Sequence, residues 1–395
     1  MSFENGTATD VADLMAKLNS FLLKGHALEP TYTGAGTGRI TNLIGTASSV
    51  LETITVTFSS STAFSVSGSV SGALGTGTVG VAFTSAVVNF TITAGGTAWQ
   101  SGDTIVFTMT PPWIQKRGAA GSEYIWQAPG NGNEAQIFVG VLRFSDAGAD
   151  YDNWRLGGFN GFDSGLAFTT QPGAMTRPVV PLLRVGSMPY WFVANGRRVV
   201  MVVKASTVYE AMYLGFFSTY ANPTQFPYPL MVGGSMSWTS EPASNSQNWR
   251  WSYSGNEHRA FPYPHPTSNA NQDQFQLRLR KPDGVWQGMA GTRSGGSQNG
   301  YVWPYGYTFS NVLPNLDGTY PLLPIVLHAD EGNGGIYPNI SIVNPNIWGE
   351  LDGVYAITGH ANAAENIITV GRTDYLVVQN INRTTKTDFF AVKLA

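Results

Sequence analysis

Apolar and polar positions alternate with two different periods along this chain. Residues 8–24 (ATDVADLMAKLNSFLLK) place Val11, Leu14, Met15, Leu18, Phe21 and Leu22 at the i, i+3, i+4, i+7 spacing of an amphipathic helix. Thr9 or Asp10 can cap its start, Asp10 and Asp13 fall in the first turn, and Gly25 stands after Lys24 as a stop. Beyond it the period is two. Thr53-Ile-Thr-Val-Thr-Phe58 and Val88-Asn-Phe-Thr-Ile-Thr93 alternate as strands with one buried face do. The span 46–110 predicts strands at Glu52–Phe58, Ala63–Val70, Thr76–Phe83, Val87–Ala94 and Thr104–Thr110, separated by Ser/Gly/Thr turns. Short strands at regular spacing describe a compact sandwich.

The densest apolar block runs from Ser187 to Gly234. Tyr190–Ala194 and Arg197–Lys204 flank Asn195-Gly196, a hairpin signal that predicts a two-residue type I′ turn. The return strand has little alternation, so both its faces are expected to be covered. Further strands are predicted at Gln136–Phe144, Thr207–Phe217, Asp273–Arg280, Leu322–His328, Val354–Thr358, Ile367–Val370, Tyr375–Gln379 and Phe389–Leu394. The fold class is therefore mostly β: sandwich-like domains with one short N-terminal α-helix. The expected division is a helix and lead-in at 1–45, a small inserted β-sandwich at 46–110, and a main β domain with long loops at 111–395.

Composition narrows the function. Charged residues make up only 12% of 395, and the net charge of −3 gives no footprint for nucleic acid or an anionic surface. In 46–110 the only charges are Glu52 and Asp103, so its Ser/Thr surface implies subunit contacts or a sparsely charged exterior. The absence of cysteine excludes disulfides, thiolate metal sites and a cysteine nucleophile. No basic n-region and apolar h-region open the chain, and no 18-residue apolar run occurs. The expectation is a product made in a cytoplasm without a membrane span.

Chemical motifs are thin. His258 and His265 lack the i, i+4 spacing of a zincin, and His328-Ala-Asp-Glu-Gly-Asn333 lacks the spacing of an EF-hand loop. The Gly-rich Gly34–Arg39 is followed by no apolar helix and reads as a turn rather than a phosphate cradle. Asp146, Asp150 and Asp152 read as loop caps and Asx-turns. No catalytic residue, metal or cofactor is expected. Two binding features remain. The helix at 11–22 either packs on its own domain or docks on a neighbouring subunit. The aromatics Trp238, Trp249, Trp251 and Tyr253, set among Ser and Asn in the polar region 235–310, either fill a core or interface or hold a glycan. Arg197 and Arg198, just past the Asn-Gly turn, either reach a partner or are solvated.

Several segments carry a resemblance. They are Val66-Ser-Gly-Ser69; Phe90-Thr-Ile-Thr-Ala-Gly-Gly-Thr-Ala-Trp99 running into Gly102-Asp103-Thr104; Glu123-Tyr-Ile-Trp-Gln-Ala-Pro-Gly130; Pro189-Tyr-Trp-Phe-Val-Ala-Asn-Gly196; Gln225-Phe-Pro-Tyr-Pro-Leu230; and Gly353-Val-Tyr-Ala356 with Val378-Gln-Asn-Ile-Asn-Arg383. Together they resemble tailed-bacteriophage virion structural proteins, whose tail and baseplate parts contain small β-sandwich units. The resemblance implies a non-enzymatic component of the tail, baseplate or neck. Its partners would be copies of itself and other virion proteins. A glycan- or receptor-binding adhesin that contacts a host-surface glycan is the alternative, and a polysaccharide-degrading spike is a third.

Overall fold

The computed structural model describes residues 1–132, 134–237, 249–254, 258–263, 275–290, 300–305, 313–330, 345–381 and 385–394. It is mostly β, with several antiparallel sheets and, among the described residues, a single α-helix. No described helix is long and apolar enough to cross a membrane.

The main body is centred on a 14-stranded sheet. Its middle is the predicted apolar block. Met188–Ala194 pairs with Arg198–Ala205, which pairs with Val208–Phe216. Both inner strands are buried almost throughout, as a run of Val and Met without alternation requires. The connection differs from expectation. Ala194 faces Val199 across a four-residue loop, and Asn195 and Gly196 both stay out of the positive-φ region. The loop is instead held by Asn195, whose Oδ1 accepts from the N–H groups of Arg197 at 2.9 Å and Arg198 at 3.1 Å. The side chain thus replaces the strained backbone that a type I′ turn would need.

The helix runs from Val11 to Leu22. Asp10 Oδ1 accepts from Asp13 N–H at 2.8 Å, and Asp13 Oδ2 from Thr9 N–H at 2.8 Å, a reciprocal cap. Val11, Leu14, Met15, Leu18, Phe21 and Leu22 are all fully buried in the main core. Phe21 meets Phe192 at 5.8 Å between ring centres, Asn19 accepts from Trp126 Nε1 at 2.7 Å, and the Leu22 carbonyl accepts from Trp113 N–H at 2.9 Å. Docking on a neighbouring subunit through this stripe is therefore corrected: the chain's own strands cover it. Six such side chains contribute roughly 9–18 kcal/mol of gross burial. A strand missed in the sequence, Ser2–Ala8, precedes the helix and pairs with Met188–Ala194 as the end strand of the large sheet.

A second sheet of six strands (Ile114–Ala119, Glu123–Ala128, Ile137–Asp146, Tyr151–Phe159, Val179–Val180, Met236–Ser237) shares the main core with the helix and the large sheet. The small sandwich has its own core. Its larger sheet holds Glu52–Phe58, Ala63–Gly68, Gly72–Thr78 and Thr104–Thr110 with the short strands His26–Ala27 and Thr31–Thr33. Its smaller sheet holds Ile40–Gly45, Ala82–Thr84 and Val88–Ile92. The unit therefore spans 26–110, and the expected boundary at 46 is corrected. The lead-in is Gly/Thr-rich because it must wrap closely. A Cβ on Gly36 would lie 2.4 Å from Trp99, and the N–H groups of Ala35 and Gly36 bond the Asp103 carboxylate. The Gly-rich turn is an anion cradle after all, filled by the protein's own aspartate.

Candidate functional site

Alternation fixes two faces on the larger sheet of the sandwich. Ile54, Val56, Phe58, Phe64, Val66, Ile105 and Phe107 point inward and are buried. The outward positions carry hydroxyls at register. One row across the sheet reads Thr33, Thr104, Thr57, Ser65, Thr76. The next reads Thr31, Val106, Thr55, Ser67, Ala73. Thr53, Thr57, Ser65 and Ser67 are exposed, while Thr55, Thr104, Val106 and Thr108 are half-buried. Threonine suits this position because its β-branched body favours a strand while its hydroxyl keeps the face wet.

The two charges of the span are withdrawn from that face. Glu52 is buried and accepts from the N–H groups of Val70 at 3.0 Å and Ser71 at 2.9 Å and from Ser71 Oγ at 2.7 Å. Burial raises its carboxyl, but the bonds from Ser71 and Val70 outweigh this and hold it below the usual value. Asp103 is lowered by the N–H groups of Gln100, Gly36 and Ala35. What remains outside is a neutral, hydroxyl-bearing sheet. It ends at Gly72–Thr78, an edge strand mostly exposed along its length.

The aromatics singled out in the sequence behave differently from one another. Trp249 is fully buried in a small cluster with Tyr151, Val180, Leu182 and Met236, edge-on to Phe144 at 5.7 Å. A buried ring cannot stack on a sugar, so its assignment to a glycan platform is corrected. Trp251 and Tyr253 are half-buried against the same cluster, and Trp238 lies outside the described residues. Arg197 and Arg198 do not reach outward. Arg198 is fully buried, with Nε 3.2 Å from Asp352 and Nη1 donating to the Val193 carbonyl. Arg197 contacts Glu134 at 2.9 Å and Ser218 at 3.0 Å. Burial pushes the Asp352 carboxyl up, but Arg198 and Arg197, with the Asn195 amide, more than reverse this. The cluster locks the hairpin end to the strand Pro345–Ile357.

Sequence reading missed a buried ionisable pair. Glu210, in the middle of an otherwise apolar strand, accepts from Leu182 N–H at 3.0 Å through Oε2, and its Oε1 lies 2.7 Å from His258 Nε2. His258 Nδ1 lies 2.7 Å from the Tyr253 carbonyl and must donate to it. One proton therefore has to sit between Nε2 and Oε1, whichever atom carries it. Both ring nitrogens are occupied, so this histidine ties Tyr253 to Glu210 and has no free nitrogen to serve a nucleophile. The signal available in the sequence was the lone acid in Val208-Tyr-Glu-Ala-Met212. Among the described residues, no three His, Asp or Glu side chains converge as metal ligands would.

No protein-family model matches this chain, and no curated protein is significantly similar to it.

Proposed function

We propose that this chain is a non-enzymatic structural protein of a tailed-phage particle, in the tail, baseplate or neck, assembling with copies of itself and other virion proteins. The carrying observation is the neutral hydroxyl face of the 26–110 sandwich, with its exposed edge strand. A wet face free of charge offers nothing to nucleic acid or an anionic membrane. It can meet another neutral sheet without burying an unpaired charge, and its hydroxyls can pair across the contact. Repetition of identical copies turns such a face into a repeated interface. The segments that resemble virion proteins support the same reading.

The test places charge on the face without touching the core. Thr53→Lys and Ser65→Lys are exposed positions that do not face each other. Surface substitutions of this kind change stability by about 0.5 kcal/mol or less. The double variant is expected to keep the wild-type unfolding midpoint and to be lost from purified particles. Incorporation at the wild-type level refutes the reading.

A further inference from the structure

A cavity of about 190 Å³ opens where the small sandwich meets the C-terminal strands. It is lined by Phe3, Ile40 and Leu394 on its apolar side and by Arg39, Arg372 and Asp374 with Thr41 and Asn42 on its polar side. Three ionised groups stand there, two positive and one negative, which leaves one net positive charge. The two arginines differ. Arg372 is held in place by Nη2, which donates to the Gly36 carbonyl, and by its guanidinium lying 4.3 Å over the Tyr32 ring, while its Nη1 is buried without a hydrogen-bond partner. Arg39 is tethered only at Nη1, by Asp374. Its Nε and Nη2 have no partner among the described residues, and its side chain is 30% exposed. Those two atoms form the side edge of a guanidinium, the geometry that grips a carboxylate through two parallel bonds.

We propose that this cavity binds a monosaccharide-sized ligand carrying one carboxylate, a uronic acid or its like. The free edge of Arg39, the unpartnered Nη1 of Arg372 and one net positive charge match a monoanion. The volume equals about six waters, room for a single ring. Phe3, Ile40 and Leu394 offer an apolar wall to the C–H face of a pyranose, and Thr41, Asn42 and Asp374 offer partners to its hydroxyls. The site is remote in sequence from the aromatic region 235–310 and does not rest on the assembly reading.

The test titrates the full chain with sodium D-glucuronate, its methyl ester, D-glucose and inorganic phosphate, read by saturation-transfer NMR and calorimetry. Glucuronate is expected to saturate with Kd of about 1 mM, the strength ordinary for a ligand of a dozen or so heavy atoms. The ester and glucose are expected to bind at least tenfold more weakly. Arg39→Lys keeps the charge but removes the fork and is expected to weaken glucuronate about tenfold with an unchanged unfolding midpoint. The proposal is overturned if glucuronate does not saturate, if the ester binds as well, if Arg39→Lys binds as wild type, or if phosphate binds as tightly through Arg39. The comparison of acid with ester needs no variant, so a folding defect in Arg39→Lys leaves the proposal testable.

Discussion

His26 joins the helix to the small sandwich, and its protonation should be visible in stability. The ring is fully buried and lies 4.9 Å from Phe21. Burial first, then the positive charge of Lys24, lowers its pKa from 6.5 to about 3. The unfolded chain takes up this proton below pH 6.5, and the folded chain only near pH 3. Stability from the neutral ring is therefore complete above pH 6.5 and is lost progressively as pH falls toward 3. At 1.36 kcal/mol per pH unit, the loss by pH 5 is about 2 kcal/mol, and the full window is worth about 5 kcal/mol. The perturbation is His26→Leu, which fills the site with an apolar side chain and removes the titration. Urea unfolding followed by tryptophan fluorescence from pH 7.5 to 5 gives the stability of each chain. The wild type is expected to lose about 2 kcal/mol more than His26→Leu over that range. Equal slopes for the two chains refute the reasoning, whatever their absolute stabilities.

Three further outcomes test other parts of the structure. Asp352→Asn leaves Arg198 buried without its counter-charge and is expected to cost about 3–5 kcal/mol at pH 7 by denaturant unfolding. Because the Asp352 carboxyl is held below its ordinary value, the wild-type advantage is present above that value and shrinks as pH falls through the folded one, so the two unfolding curves converge in acid. Removing residues 1–24 strips the helix and the strand Ser2–Ala8 from the main core, and is expected to abolish cooperative unfolding by calorimetry instead of merely blocking assembly. For the buried pair, His258→Leu and Glu210→Leu should each cost about 3–5 kcal/mol and the double variant clearly less than their sum, a coupling read from a double-mutant cycle.

What was legible in the sequence follows from which forces act locally. Glu52–Phe58 and Thr104–Thr110 were delimited to the residue because one face of each is buried and alternation marks it directly. The helix was found because a 3.6-residue stripe and a cap at Asp10 coincide. Ser2–Ala8 was missed: its sequence SFENGTA alternates with nothing, and its pairing partner lies at 188–194, far along the chain. Tyr151–Phe159 was missed for a different reason. It is buried at every position, on both faces, yet carries Asp152, Asn153 and Arg155. Asp152 is bound by both arms of Arg143 at 2.7 and 2.6 Å, and Asn153 bonds Leu183 N–H and the Trp249 carbonyl. Polarity in that strand reports on partners from elsewhere in the chain, so the reading of Asp152 as a loop cap is corrected: it lies within the strand. The hydroxyl face was half legible. Its Thr alternation stood in the sequence, but the alignment of five strands into rows depended on register.

The same contrast explains where the few charges lie. His26 and Thr110 are paired neighbours, so the sandwich enters and leaves the main body at one point. It is held against the body by the packing of Ile44 on the main core, by Ala27 N–H donating to Ser2 Oγ at 3.0 Å, and by charged or cationic contacts. Arg39 bonds Asp374, Lys393 bonds Glu29, and Arg372 lies over Tyr32 with Trp99 beside it at 5.7 Å. Lys393 is buried at this joint while Glu29 is largely exposed. Directional charge pairs add a constraint on angle to that packing. The outer sandwich face is thus neutral, while arginine and carboxylate stand at the joint with the body. Orientation is what a repeated contact in a symmetric assembly requires. If the hydroxyl face is the assembly contact proposed above, loosening this joint through Asp374→Ala is expected to weaken incorporation into particles at an unchanged unfolding midpoint of the main body, and incorporation at the wild-type level refutes a role for the joint.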